Sequence, residues 1–235
     1  MVSIFSYIMT SIPEFAKHID IYPNTFEFVS EQQISNNDIP RVLHIIWVGD
    51  REPPHYALEN IEKWTKLMPN WDIKFWTNND ITTTHFPLNI INLLDKVDKG
   101  AQKADIMRYF IMEKYGGVYV DTDVTPHHSL EPLITQLPNT EAILCHDLVL
   151  TWKYISIGFF AAIPNHPIFK TATKICNHVI INTEAIYMQT GPRLLGEAVA
   201  RTNFPTKTIL LPTKMFYYNL NYDGRLGNHF YAKEW

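Results

Sequence analysis

One stretch, Gly100 to Asp123, constrains the fold of this chain more than any other. Gly100 to Lys114 carries a helical pattern, and Gly116-Gly117 stops it, because glycine takes the left-handed backbone of a helix C-cap without a Cβ penalty. Val118-Tyr119-Val120 is then a short apolar run, the mark of a buried strand. Asp121-Thr122-Asp123 leaves its end. In extended backbone, residues two apart point the same way, so Asp121 and Asp123 bring two carboxylates together just past the strand's carboxyl end. Open α/β sheets place ligands at that edge. Two hard oxygen donors there suit Mg²⁺ or Mn²⁺ shared with a diphosphate. A bare Asp-x-Asp is also compatible with two solvated loop aspartates; the helix, the glycine break and the apolar strand in front of it favour the ligand reading.

The rest of the chain supplies an α/β frame. Met1 to Asp38 is a preamble, with Ser11-Ile12-Pro13-Glu14 as a helix start. Val42 to Val48 is a continuous run of mostly branched apolar residues, the expected first strand of a buried parallel sheet. Further strands are expected at 71–76, 142–144, 157–162 and 209–211, and further helices at 56–67, 90–97, 167–181 and 193–200. Alternating strands and helices argue for one domain in which helices cover both faces of a sheet.

Composition narrows the function. The 235 residues carry 20 basic and 24 acidic side chains without a basic block, which argues against a duplex nucleic-acid binder. Cys145 and Cys176, the two cysteines, have no closely spaced partner, so neither a disulfide framework nor a thiolate zinc site is expected. The N-terminus lacks a basic n-region, and no run of ~18 apolar residues follows, so the expectation is a soluble, cytoplasmic chain. Aromatic residues reach 13%. Most must pack a core, but aromatic faces also stack on bases and sugars. Trp47, closing the first strand, is a candidate stacking plate as well as a core residue. Asp105 and Arg108, at i and i+3, share a helix face; they read either as a surface ion pair or as groups aimed at a polar ligand.

These residues carry a resemblance. Ile39-Pro40-Arg41-Val42-Leu43-His44-Ile45-Ile46-Trp47, Met68-Pro69-Asn70-Trp71, Ala104-Asp105-Ile106-Met107-Arg108-Tyr109, Gly116 to Asp123, Asn165-His166-Pro167 and Thr190-Gly191-Pro192 resemble glycosyltransferase family 32 and its relatives. Among these are capsular polysaccharide glycosyltransferases and, distantly, glucosylating toxins. The resemblance covers 39–235. It implies a GT-A catalytic domain there and a hexose moved, with retention, from a UDP- or GDP-sugar to a glycan, lipid-linked sugar or protein acceptor. It implies Mn²⁺ or Mg²⁺ on Asp121, Asp123 and His229. Donor contacts fall on Trp47, Val48, Asp105, Arg108, Asp121, Thr122 and Trp235, and the catalytic set is Asp105, Arg108, Asp121 and Asp123. With the family in view, Asp105 and Arg108 become sugar-holding groups.

Two places depart from the family pattern. Ser156-Ile157-Gly158 stands where an Asn often opens a strand, and His229 is followed by Glu234-Trp235 rather than Ser-Trp. The lack of a membrane anchor points to a bacterial or viral setting. Two rivals stand beside this reading. Asp121-Thr122-Asp123-Val124-Thr125 also fits the nucleophile motif of haloacid-dehalogenase-like phosphatases, which normally follows a first strand and needs later paired acids. A sugar-binding module without turnover is the other.

Overall fold

The computed structural model describes residues 19–21, 39–137, 139–146, 155–178, 186–202, 208–211, 213–216 and 226–232. The elements in chain order are β1 (Ile19–Ile21), β2 (Val42–Ile46), α1 (His55–Leu67), β3 (Asp72–Trp76), α2 (Leu88–Leu94), α3 (Gly100–Tyr115), β4 (Gly117–Val120), β5 (Val124–Pro126) and α4 (Glu131–Thr135). They continue as β6 (Ala142–His146), β7 (Ile155–Ala162), α5 (Pro167–Cys176), α6 (Ile186–Gln189), α7 (Pro192–Arg201), β8 (Thr208–Leu211) and β9 (Gly227–His229).

Among the described residues, seven strands form one mixed sheet in the order β1-β8-β6-β7-β4-β2-β3, and β5 pairs with β9 in a separate ribbon. Strand β7 runs antiparallel to both its neighbours, β4 and β6, while the other pairings within this sheet are parallel. That reversal brings the start of β7 to the edge where β2, β4 and β6 end. The expected strand at 42–48 stops at Ile46, although Trp47 still donates its backbone N–H to the Trp76 carbonyl at 2.9 Å. The helix expected at 90–97 begins at Leu88, directly after Pro87, whose fixed φ suits a helix entry. The helix start read at Ser11 lies outside the described residues, as does the end of the helix expected over 167–181.

Alternation along the strands sorts the core into two layers. Leu43, Ile45, Val118, Val120, Phe159 and Ala161 pack with Trp64 and Phe216 on one face. Ile46, Tyr119, Phe160 and Ala162 pack with α3, α5 and α7 on the other. Helix α3 is buried on all sides from Ala104 to Met112, as expected of a helix between a sheet and a second helix layer. Among the described residues no helix is long and apolar enough to cross a membrane.

The glycine break is built into this packing. Gly116 and Gly117 have φ of 61° and 87°. A Cβ on Gly116 would lie 2.5 Å from the Pro164 nitrogen, and one on Gly117 would lie 2.6 Å from the Val42 carbonyl. Beneath this turn His44 is neutral by geometry: its Nδ1 accepts the Trp76 indole N–H at 3.1 Å, and its Nε2 lies 2.9 Å from the Gly116 carbonyl. Burial lowers its pKa to about 4.

Candidate active site at the end of the fourth strand

Strand β4 delivers Asp121 and Asp123 to the carboxyl edge of the sheet, as the spacing predicted. The Asp121 N–H donates to the Gly158 carbonyl at 3.0 Å, and the Val124 N–H closes back on the Asp121 carbonyl at 3.1 Å. The intervening Thr122 is buried and faces away from solvent; its carbonyl accepts from Asn60 of α1 at 2.9 Å. The helix thereby clamps the acidic turn from one side.

The ribbon clamps it from the other. Register pairs Val124 with His229. The His229 Nε2 lies 3.0 Å from Asp123 Oδ1 and 3.4 Å from Asp121 Oδ2. These three side chains offer ligand atoms within 4.8 Å of one another. Two carboxylate oxygens and an imidazole nitrogen are a donor set that Mn²⁺ or Mg²⁺ accepts, so the residues present fit the cation the sequence implied. Without a cation the imidazole itself balances the carboxylates. Burial alone would lower its pKa, but the hydrogen bonds and charges of Asp121 and Asp123 outweigh it and raise the group to about 9.

Behind the pair lies a buried relay on α3. The Arg108 Nη2 meets Asp105 Oδ1 at 2.9 Å, and its Nη1 meets Asp121 Oδ1 at 3.1 Å. Nη1 also donates to the Ile157 carbonyl at 2.6 Å, at the reversed start of β7, and Nε donates to the Ala104 carbonyl. The guanidinium lies over the Tyr119 ring at 4.6 Å, and the Tyr119 hydroxyl donates to Asp121 Oδ1 at 2.7 Å. The surface ion pair is therefore excluded: the Arg108 and Asp105 side chains are 3% and 5% exposed. Arg108 nonetheless has most of its N–H groups engaged within the protein, so in this structure it acts first on the two aspartates. Burial opposes the Asp121 carboxylate, yet Arg108, His229 and Tyr119 together hold its pKa below the ordinary value. Asp105 goes the other way, pushed up to about 6 by burial against the counteracting charge of Arg108.

Sequence reasoning missed the second partner of Asp105. The Thr190 hydroxyl donates to Asp105 Oδ2 at 3.0 Å, across 85 residues. The Tyr109 hydroxyl donates to the Thr190 carbonyl at 2.8 Å, and Gln102 donates to Gln189 at 2.9 Å. One face of α3 thus grips residues 189–191 at three successive turns. Thr190-Gly191-Pro192 was visible as a motif, but no local pattern tied it to Asp105.

Trp47 sits at the same sheet edge, at the end of β2. It is 6% exposed, and its indole N–H donates to the Arg51 carbonyl at 2.7 Å. Its ring is packed, with little free face for a base. Val48 is buried too; its carbonyl lies 2.3 Å from where a Cβ on Gly100 would stand, so glycine at that position lets α3 start directly under the loop. Trp235 lies outside the described residues.

Known proteins share the sequence region and the fold. Residues 54–140 match the family model described as the glycosyltransferase sugar-binding region containing a DXD motif. The chain is 26% identical over 182 residues to inositol phosphoceramide mannosyltransferase 1 of Schizosaccharomyces pombe, covering 67% of this chain and 50% of that protein. It is 28% identical over 181 residues to an uncharacterized glycosyltransferase of Acanthamoeba polyphaga mimivirus, covering 74% and 70%. Except for the viral protein, the chain spans about half the length or less of these and similar curated relatives. Among solved structures, the PaToxG glycosyltransferase superposes with a TM-score of 0.58 at 14% identity, covering 69% of each chain, a likeness of fold. The fold is GT-A, and with the DXD region at the end of β4 the chain is similar to the glycosyltransferases of the family-32 kind.

Proposed function

We propose that this chain moves a hexose from a nucleoside-diphosphate sugar to a hydroxyl group of a glycan or lipid-linked acceptor, with retention of anomeric configuration and with a divalent cation. The observation that carries this reading is the convergence of Asp121, Asp123 and His229 within 4.8 Å at the carboxyl end of β4, with Arg108 fixed behind them. The relatives whose names specify mannosyl transfer support a hexose donor. Asp121, Asp123 and His229 would hold the cation. When bound, it supplies positive charge against the diphosphate as the sugar–oxygen bond breaks.

The chain's own groups do the rest. Arg108 keeps Asp121 ionised, and Tyr119 fixes the same oxygen. Asp105, braced by Arg108 and Thr190, retains lone pairs for donor hydroxyls. Burial of this network sharpens each electrostatic contact, because low local polarity strengthens charge interactions. The donor C1 develops oxocarbenium character as in other glycosyl chemistry. None of the described acids outside the cluster is marked as a nucleophile. The reading is therefore same-face attack, with a diphosphate oxygen taking the acceptor proton. The phosphatase rival finds no support: the acidic motif follows β4, midway along the chain, and among the described residues the cluster recruits a histidine instead of a later pair of acids.

The test is release of nucleoside diphosphate from a panel of UDP- and GDP-sugars in Mn²⁺. Wild type should hydrolyse at least one donor slowly, and Asp123→Ala should reduce that rate by at least ~100-fold, since it removes a group acting on charge in the transition state. Absence of release from every donor would sink the transferase reading.

A further inference from the structure

Of the large apolar side chains exposed among the described residues, the two aromatic ones are consecutive, Phe230 at 42% and Tyr231 at 40%. Both directly follow His229. The Tyr231 ring lies edge-on to the His229 imidazole, with centroids 4.2 Å apart and planes at 78°. The Nε2 of the same imidazole reaches Asp121 and Asp123. An exposed aromatic ring therefore borders the catalytic cluster itself.

Its position is fixed. The Phe230 N–H donates to the Asp123 carbonyl at 3.3 Å, and the Ala232 N–H donates to Asp123 Oδ2 at 3.0 Å. Tyr231 is bracketed between these bonds. Phe230 anchors the strap sideways, packing edge-on against Tyr56 of α1 at 5.0 Å. Tyr231 itself has φ of 52°, a left-handed conformation that asparagine or glycine adopts at lower cost than a bulky side chain. An aromatic ring held at such a position, exposed and beside the reacting groups, calls for a ligand.

The chemistry around it selects the ligand class. The two aspartates held against His229 disfavour a bare anion beside the ring. A neutral ring polyol suits the place, because its C–H face packs on an aromatic ring while its hydroxyls meet polar groups.

We propose that Tyr231 is the wall of the acceptor site, on which a cyclic polyol, a pyranose or a cyclitol, stacks so that one hydroxyl faces the Asp121, Asp123 and His229 cluster. The acceptor role rests on the transferase reading; ring binding at Tyr231 does not. Saturation-transfer NMR of the full chain with methyl α-D-mannopyranoside and, separately, with myo-inositol tests it. At least one ring should bind through its C–H protons. Tyr231→Asn, which tolerates the left-handed backbone, should weaken that binding by about tenfold, the range of an aromatic contact, and Tyr231→Phe should restore it. Equal binding by wild type and Tyr231→Asn overturns the proposal. So does failure of both rings to bind, including the case of Tyr231-dependent binding to phosphatidylcholine vesicles instead. If the rings bind through Tyr231 but no donor is hydrolysed, the stacking wall stands and the transferase reading falls.

Discussion

At the residue scale the site is a set of buried charges that depend on each other. Asp105 tolerates burial because Arg108 holds one oxygen and Thr190 the other. Thr190→Val keeps the volume and deletes the second bond. A buried hydrogen bond to a charged group contributes roughly 1.5–3 kcal/mol. We expect a loss of about 2 kcal/mol in thermal unfolding, a higher KM for the donor, and recovery of both in Thr190→Ser. The strand's period of two placed Asp121 and Asp123 in the sequence, whereas the helix's spacing of three left Asp105 and Arg108 open between a surface pair and ligand groups until the family resemblance singled them out. The sequence could not show Thr190, whose bond to Asp105 spans 85 residues. Nor could it tell a packed Trp47 from a stacking one, since that difference lies in which neighbours cover the ring.

At the element scale, two junctions carry the architecture. The first is the turn from α3 into β4. Alanine at Gly116 or Gly117 would meet backbone atoms at 2.5 or 2.6 Å and would force a non-glycine residue to positive φ. Each substitution should destabilise by several kcal/mol, read as a large fall in Tm or loss of soluble protein. The second is the start of α5. His166 accepts the Ile168 N–H as a helix cap, is fully buried, and has its pKa lowered to about 4 by burial. The unfolded chain binds that proton near pH 6.5, the ordinary histidine value, so stability is fully present above pH 6.5 and falls as pH drops toward 4. At about 1.36 kcal/mol per unit the share lost by pH 5 is roughly 2 kcal/mol. Asp105, held up at about 6, works in the opposite sense. Comparing wild type with His166→Asn, which keeps a cap but cannot titrate, isolates the histidine. The variant should lose less stability between pH 7.5 and pH 5 in melting experiments.

At the scale of the whole molecule, the site is where separate parts of the chain meet: α1 through Asn60, α3 through Arg108, β4 through its aspartates, β7 through the Ile157 carbonyl, and the ribbon through His229. A cation that binds this assembly and not the unfolded chain raises the melting temperature by mass action, about 2.7 kcal/mol at a hundredfold excess over Kd. Mn²⁺ should therefore stabilise wild type, and Asp123→Ala should abolish the shift. A shift that persists in the variant would place the cation elsewhere. The antiparallel insertion of β7 is what makes the Ile157 carbonyl available at this edge. Strand direction is set by long-range pairing, which an apolar pattern such as 155–162 does not encode.

By itself the sequence determined the local geometry: a helix ended by two glycines, a buried strand, and two carboxylates on one side of its end. These follow from Cβ sterics and backbone periodicity, which act over a few residues. Only the tertiary structure decided what surrounds them. It paired β5 with β9 and so brought His229 to both aspartates, it turned β7 around, and it left Tyr231 exposed beside the cluster while burying Trp47. Each of these depends on contacts between residues far apart in the chain, where burial and pairing, not local propensity, set the outcome.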